Sequence, residues 1–158
     1  MVRIRTQREI DLIATSCQIV ADTLDMLTEH VKPGARIIDL DERAEAFIRN
    51  QGARPAFKGY MGFPATLCVS VDDEVVHGVP NDRVLEEGQI VGIDCGAEKD
   101  GYYGDHARTF AIGKVSDDDL GSKYEEGLKK ESEEYFYSKK KQQMPTGTSI
   151  ILVTPHTE

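Results

Sequence analysis

Two aspartates in this sequence are spaced so that they could hold cations jointly. Asp94 lies in Ile90-Val91-Gly92-Ile93-Asp94-Cys95-Gly96, and Asp105 in Gly104-Asp105-His106-Ala107-Arg108-Thr109-Phe110, with Asp100-Gly101 between them. The pattern reads as strand, tight turn, strand. If Lys99-Asp100 are the turn residues, the two aspartates are directly opposed; if Asp100-Gly101 are, they become diagonal neighbours on the same face. Directly opposed side chains have Cβ atoms about 4.5 to 5.5 Å apart, and like charges so placed on a partly buried sheet are destabilising. Arg108 is on the same strand, but three residues from Asp105 it has the opposite parity. Divalent cations bridged by carboxylates, the arrangement that activates water and clamps a carbonyl in hydrolysis, meet the charge requirement better. The competing reading is a pair of solvated or salt-bridged aspartates.

His77 lies in Val75-Val76-His77-Gly78-Val79-Pro80, behind a strand and before a Gly/Pro turn. Its imidazole is either a structural hydrogen-bonding group or a donor that stabilises developing charge on a substrate carbonyl. His106 alternates to the other face of its strand from Asp105 and is not counted as a ligand. The segment Phe57-Lys58-Gly59-Tyr60-Met61-Gly62-Phe63-Pro64 leads into Cys68. Its aromatics either plug a core edge or line, with the thiol, a small apolar pocket suited to an unbranched side chain.

The elements that must position these groups follow from periodicity. Thr6 and Glu9 form a capping box, and Ile10, Ile13, Cys17, Val20, Leu24 and Leu27 recur at helical spacing as far as about Glu29. Pro33-Gly34 breaks this helix, and a second, with Ile38, Ala44, Phe47 and Ile48 on one side, ends near Gln51-Gly52. Short β-rich segments follow at residues 65–71, 89–96 and 102–112. Helices first and antiparallel strands afterwards make an α+β pattern. From Ser116 a Glu/Lys-rich stretch with a thin apolar stripe, Leu120, Tyr124, Leu128 and Tyr135, reads as a helix, and the remainder as an irregular tail. A weak echo between residues 31–39 and 143–151 is either chance or the start of a second copy of the first unit.

Composition bounds the partners. A hydrophobic fraction of 39% with 30% charged residues is ordinary for one soluble domain, and the chain has no apolar run of the roughly 20 residues that cross a bilayer. The amino terminus, MVRIRTQREI, does not read as a secretion signal, so a cytoplasmic location is expected. Cys17, Cys68 and Cys95 lack CxxC spacing and are expected as reduced thiols. A net charge of -9 argues against direct nucleic-acid binding.

FKGYMGFPATLCVSVDDEVVHGVP and EEGQIVGIDCGAEKDGYYGDHARTFAIG resemble the first half of type I methionine aminopeptidases, over about residues 1–115. That resemblance implies the amino-terminal half of a pita-bread fold, and metal-dependent removal of the amino-terminal methionine from peptides and nascent chains, at the ribosome among other places, by a cytoplasmic monomer. It implies two divalent ions of the cobalt, manganese, iron or zinc class, held by Asp94 and Asp105. His77 then contacts substrate near the scissile amide as a catalytic residue, and Tyr60 and Cys68 line the methionine side-chain pocket. The family also draws one histidine and two glutamates from a second, pseudo-symmetric half. No counterpart is evident, and His156 and Glu158 lack the strand context of those ligands. Residues 1–115 are therefore expected to form the amino-terminal half of the catalytic domain, and 116–158 a divergent, truncated or frameshifted tail, with impaired activity. The alternatives are a relative of Xaa-Pro aminopeptidase or prolidase and an inactive peptidase-like binding module.

Overall fold

The structure, a computed structural model, describes residues 4–115. Helix α1 spans Gln7–Thr28 and begins with the expected capping box: the Thr6 side chain accepts from the Glu9 N–H at 3.3 Å, and the Glu9 carboxylate accepts from the Thr6 N–H at 2.8 Å. Helix α2, Ile37–Asn50, has no side-chain cap. Its first free N–H groups are taken by distant backbone instead, Ile37 donating to the Arg83 carbonyl at 3.0 Å and Ile38 to that of Asn81 at 2.9 Å. The strands are β1 (Arg54–Pro55), β2 (Leu67–Val71), β3 (Ile90–Lys99) and β4 (Tyr102–Ala111), with a 3-10 turn at Tyr60–Gly62. The expected helix and tail beyond residue 115 lie outside the described residues.

Strand β3 is the middle of the sheet. It pairs antiparallel with β4 along its whole length and, on its other side, with β2 and the two-residue β1. Both helices lie on one face. There Leu67, Val69 and Val71 of β2 and Val91, Ile93, Cys95 and Ala97 of β3 are buried with Leu24, Leu27, Leu40 and Ile48 from the helices. The alternate residues, Cys68, Ser70, Gly92, Asp94, Asp105, Ala107 and Thr109, occupy the face that carries no helix. This is the two-helix, antiparallel-sheet half of a pita-bread fold that the resemblance implies.

The buried stripe of α1 differs from the expected one. Cys17 is exposed and Ile10 is 46% exposed, whereas Ser16 and Thr23 are fully buried. Their hydroxyls make this possible: Ser16 Oγ donates to the Tyr102 carbonyl at 2.9 Å, and Thr23 Oγ1 to that of Ile19 at 2.6 Å. On α2, Ile37, Leu40 and Asp41 are buried ahead of Ile38 and Phe47. The Ser16 contact requires close approach to β4. A Cβ on Gly104 would lie 2.5 Å from the Cys17 nitrogen and from the Ser16 carbonyl carbon, both backbone atoms of α1.

Gly104→Ala must therefore push α1 away from β4. It is expected to cost about 1–3 kcal/mol, read as a lower urea midpoint at unchanged slope. An unaltered midpoint would show that α1 does not need this contact.

Candidate functional site

The turn between β3 and β4 decides how the aspartates meet. Asp100 (φ 53°) and Gly101 (φ 82°) both lie in the left-handed region, as a two-residue type I′ turn requires, and Lys99 pairs with Tyr102. Of the two registers left open, this is the diagonal one: Asp94 pairs with Ala107, and Asp105 with Gly96. Both carboxylates project from the helix-free face. His106 and Arg108, on the other parity, are opposite Cys95 and Ile93, and Arg108 reaches Asp25 of α1 at 2.7 Å. Neither the arginine nor the histidine neutralises the pair.

Electrostatics confirm the closeness of the two groups. Asp94 Oδ1 is buried and has no hydrogen-bond partner. Burial, then the charge of Asp105, then a hydrogen bond shared between the two carboxyl groups push the Asp94 pKa up to about 7, against a lowering contribution from the Cys95 N–H. Cys68, directly opposite Asp94 on β2, has its thiol pushed up to about 11 by burial and by the nearby aspartates. Cys95, on the core face, is raised further for the same reasons. Both thiols are therefore neutral near pH 7. A half-buried Asp94 with an unpartnered buried oxygen, beside the exposed Asp105, fits a share of a cation site. Among the described residues no group of three or more His, Cys, Asp or Glu side chains forms one.

A cavity of about 160 Å³ opens beside the pair, its wall including Cys68, Ser70, Val75, Val76, His77 and Asp94. His77 enters it from the loop after β2 with φ 41°, an uncommon conformation for a non-glycine residue. Gly78 holds this loop against β2, its carbonyl accepting from the Val69 N–H at 2.8 Å. A Cβ there would lie 1.9 Å from the Val69 carbonyl oxygen, so only glycine fits. Of the residues singled out in the sequence, Cys68, His77 and Asp94 thus share one cavity, and Asp105 is next to Asp94. Tyr60, 68% exposed in the 3-10 turn, does not line it. Phe57 of the same segment does not line it either; its ring covers Gly96 so closely that a Cβ there would lie 2.6 Å from Cε1. Ser70 was legible from strand alternation with Cys68; Val75 and Val76 had no periodic signal, because they belong to a loop.

A model of metallopeptidase family M24 matches residues 11–134 of the 158. The chain belongs to that family. It is 49% identical over 119 residues to methionine aminopeptidase 1 of Bacillus subtilis (strain 168), covering 75% of this chain and 48% of that protein. Among solved structures it is similar to the methionine aminopeptidase of Thermotoga maritima, with a TM-score of 0.75, 35% identity and coverage of 82% of this chain and 53% of the other. It is also similar to the prolidase of Pyrococcus furiosus, with a TM-score of 0.65, 26% identity and coverage of 75% and 34%. The chain spans about half the length of the methionine aminopeptidases it matches.

The raised Asp94 pKa gives this M24 chain a pH signature when divalent ions are removed by chelation. The folded state keeps a proton that an unfolded aspartate, with its pKa of about 3.9, has already lost. The contribution of Asp94 to stability then falls as pH rises from about 4 to about 7 and levels off above it. Urea midpoints for wild type and Asp94→Asn across this range test it: the substitution is expected to flatten the decline, and equal slopes would contradict the pairing.

Proposed function

We propose that the protein serves metal-dependent removal of amino-terminal methionine, with Asp94 and Asp105 as its share of a site for two divalent ions. The observation that carries this reading is the diagonal register, which holds two carboxylates on one sheet face with Asp94 Oδ1 unpartnered. When bound, such ions supply the Lewis acidity that lowers the pKa of water and polarises a carbonyl. Asp94 and Asp105 would hold them, and binding would relieve the repulsion between the two carboxylates.

The remaining groups act on the substrate. His77, exposed at the cavity, donates a hydrogen bond to the carbonyl oxygen of the scissile amide and stabilises charge that develops there. Cys68, Val75 and Val76 give the cavity walls that suit a thioether side chain, and the Cys68 thiol stays neutral beside it. Tyr60 is assigned to the same side-chain site through the resemblance alone. Two carboxylates provide far fewer oxygens than the roughly six a hard cation takes. These two carboxylates alone should therefore hold metal weakly; the proposed substrates are cytoplasmic methionyl peptides and nascent chains, and the proposed state is monomeric.

The test is the cleavage of methionyl-alanyl and Xaa-Pro peptides with added manganese or cobalt, for wild type, Asp94→Ala, Asp105→Ala and His77→Ala. Each aspartate substitution is expected to lower kcat/KM by at least about a hundredfold, and His77→Ala by about 10²–10³ through kcat. Turnover indifferent to the aspartates would refute their role. Preference for Xaa-Pro peptides would place the chain with the prolidases instead. Peptide binding by calorimetry without any metal binding would make it a binding module.

A further inference from the structure

Strand β2 carries the Cys68 wall of the cavity on one side and the His77 loop along its outer edge. An outer edge strand presents unpaired N–H groups at alternate residues, and here each is taken by something other than a strand. At one end Asp41, 5% exposed on α2, accepts from Thr66 at 2.9 Å and from Leu67 at 2.7 Å through the same oxygen, Oδ1. In the middle the Gly78 carbonyl takes the Val69 N–H at 2.8 Å. At the other end Glu74 Oε2 accepts from Val71 at 2.9 Å, while its Oε1 receives Arg83 at 2.8 Å.

The order along the edge matters. The segment from Asp72 to Gly78 folds back beside the strand it has just left, and its register is held by only a few contacts. Gly78 N–H reaches Ser70 Oγ at 3.4 Å, a long bond, so Val69 and its two flanking carboxylates carry most of the specification. A slip of two residues would bring Gly78 to Leu67 or Val71, and both donors are already occupied by an ionised or ionisable acceptor. A hydrogen bond to a charged acceptor contributes more than a neutral one, so displacing either carboxylate in favour of a carbonyl is unfavourable.

We propose that Asp41 and Glu74 are positioning residues that occupy the two ends of the β2 edge, leave Val69 for Gly78, and so fix where His77 enters the cavity beside Asp94. Its consequence for turnover rests on the peptidase reading above; the positioning itself does not. Neither residue touches the aspartate pair, and both act through the backbone that carries His77.

Glu74 is the practical handle, since its side chain is 44% exposed and its loss should not unfold the chain. In the full chain, amide exchange at Val69 and Val71 and the His77 imidazole resonances are followed by NMR for Glu74→Ala, Glu74→Gln and Arg83→Ala. Glu74→Ala is expected to speed exchange at Val71 by about tenfold or more, the factor for losing one charge-assisted hydrogen bond, and to speed exchange at Val69 as the loop loosens. It should also move the His77 resonances toward those of a free histidine peptide. Glu74→Gln, which keeps an acceptor, should restore most of both, and Arg83→Ala should leave them near wild type. At the other end, Asp41→Asn keeps Oδ1 and should preserve Leu67 protection, whereas Asp41→Ser, too short to reach, should lose it and shift His77. Wherever turnover of methionyl peptides is measurable, Glu74→Ala should lower kcat with little change in KM. The proposal is overturned if Val69 exchange and the His77 resonances are untouched by Glu74→Ala, or if Arg83→Ala alters them equally. A wild-type chain that cleaves nothing would sink the peptidase reading, and the NMR comparison would still decide the positioning.

Discussion

A two-residue turn holds two carboxylates together against their repulsion, and the chemistry of this half-fold depends on it. The left-handed conformations of Asp100 and Gly101 set Lys99 against Tyr102, and from that pairing the positions of Asp94 and Asp105 follow. A register slip of one residue would carry either aspartate to the core side of its strand. There Val91, Ile93, Cys95 and Ala97 are fully buried, so the slip would put a carboxylate among apolar groups and expose an apolar set to water. The hydrophobic face thus enforces the register that its own reverse side resists. On the proposed reading, a bound cation would remove a repulsion that folding has already imposed.

The parts of this arrangement that were legible in the sequence are those governed by local rules. Alternation of residues placed Asp94 and Asp105 on one face under either turn, and it set His106 and Arg108 aside correctly, because parity does not depend on tertiary contacts. The capping box located the start of α1 for the same reason. The buried stripe of that helix was not legible. Ser16 and Thr23 are buried because β4 comes so close at Gly104 that a small residue is required, and hydroxyls that find carbonyls remove the usual cost of burying polarity. Strand β1, two residues long, gives no periodic signal at all. The carboxylate of Asp41 carries no local signal, because only the fold brings Thr66 and Leu67 to it.

The loop that delivers His77 illustrates the limit in a second way. Asp72 at φ 56° and His77 at φ 41° are both in a region that glycine tolerates better. Each is held by bonds to distant residues: Asp72 accepts from the Ile90 N–H at 3.1 Å and from Gln89 at 3.0 Å, and His77 is followed by the one residue type that can approach Val69. Strain at a residue beside a cavity persists only where surrounding contacts over-determine it. No propensity argument would place a histidine there, yet the motif Val76-His77-Gly78 already contained the reason in its glycine.

Shared architecture then limits what the fold can say about substrate. The chain is similar in structure to a methionine aminopeptidase and to a prolidase, so helices, sheet order and register cannot separate the two activities. Discrimination between an unbranched thioether and a proline ring must reside in walls, since each methylene misplaced in an apolar pocket changes binding by about 1–3 kcal/mol. In this chain the wall comes from two sources, a strand and a loop. Cys68 and Ser70 belong to a paired strand backed by the core, whereas Val75 and Val76, 87% and 69% exposed, belong to the His77 loop. On the peptidase reading proposed above, the strand side of this wall would face the reacting end of a substrate beside Asp94 and the loop side its side chain. On that reading the contacts that anchor this loop to β2 bear on selectivity together with the residues that face the cavity.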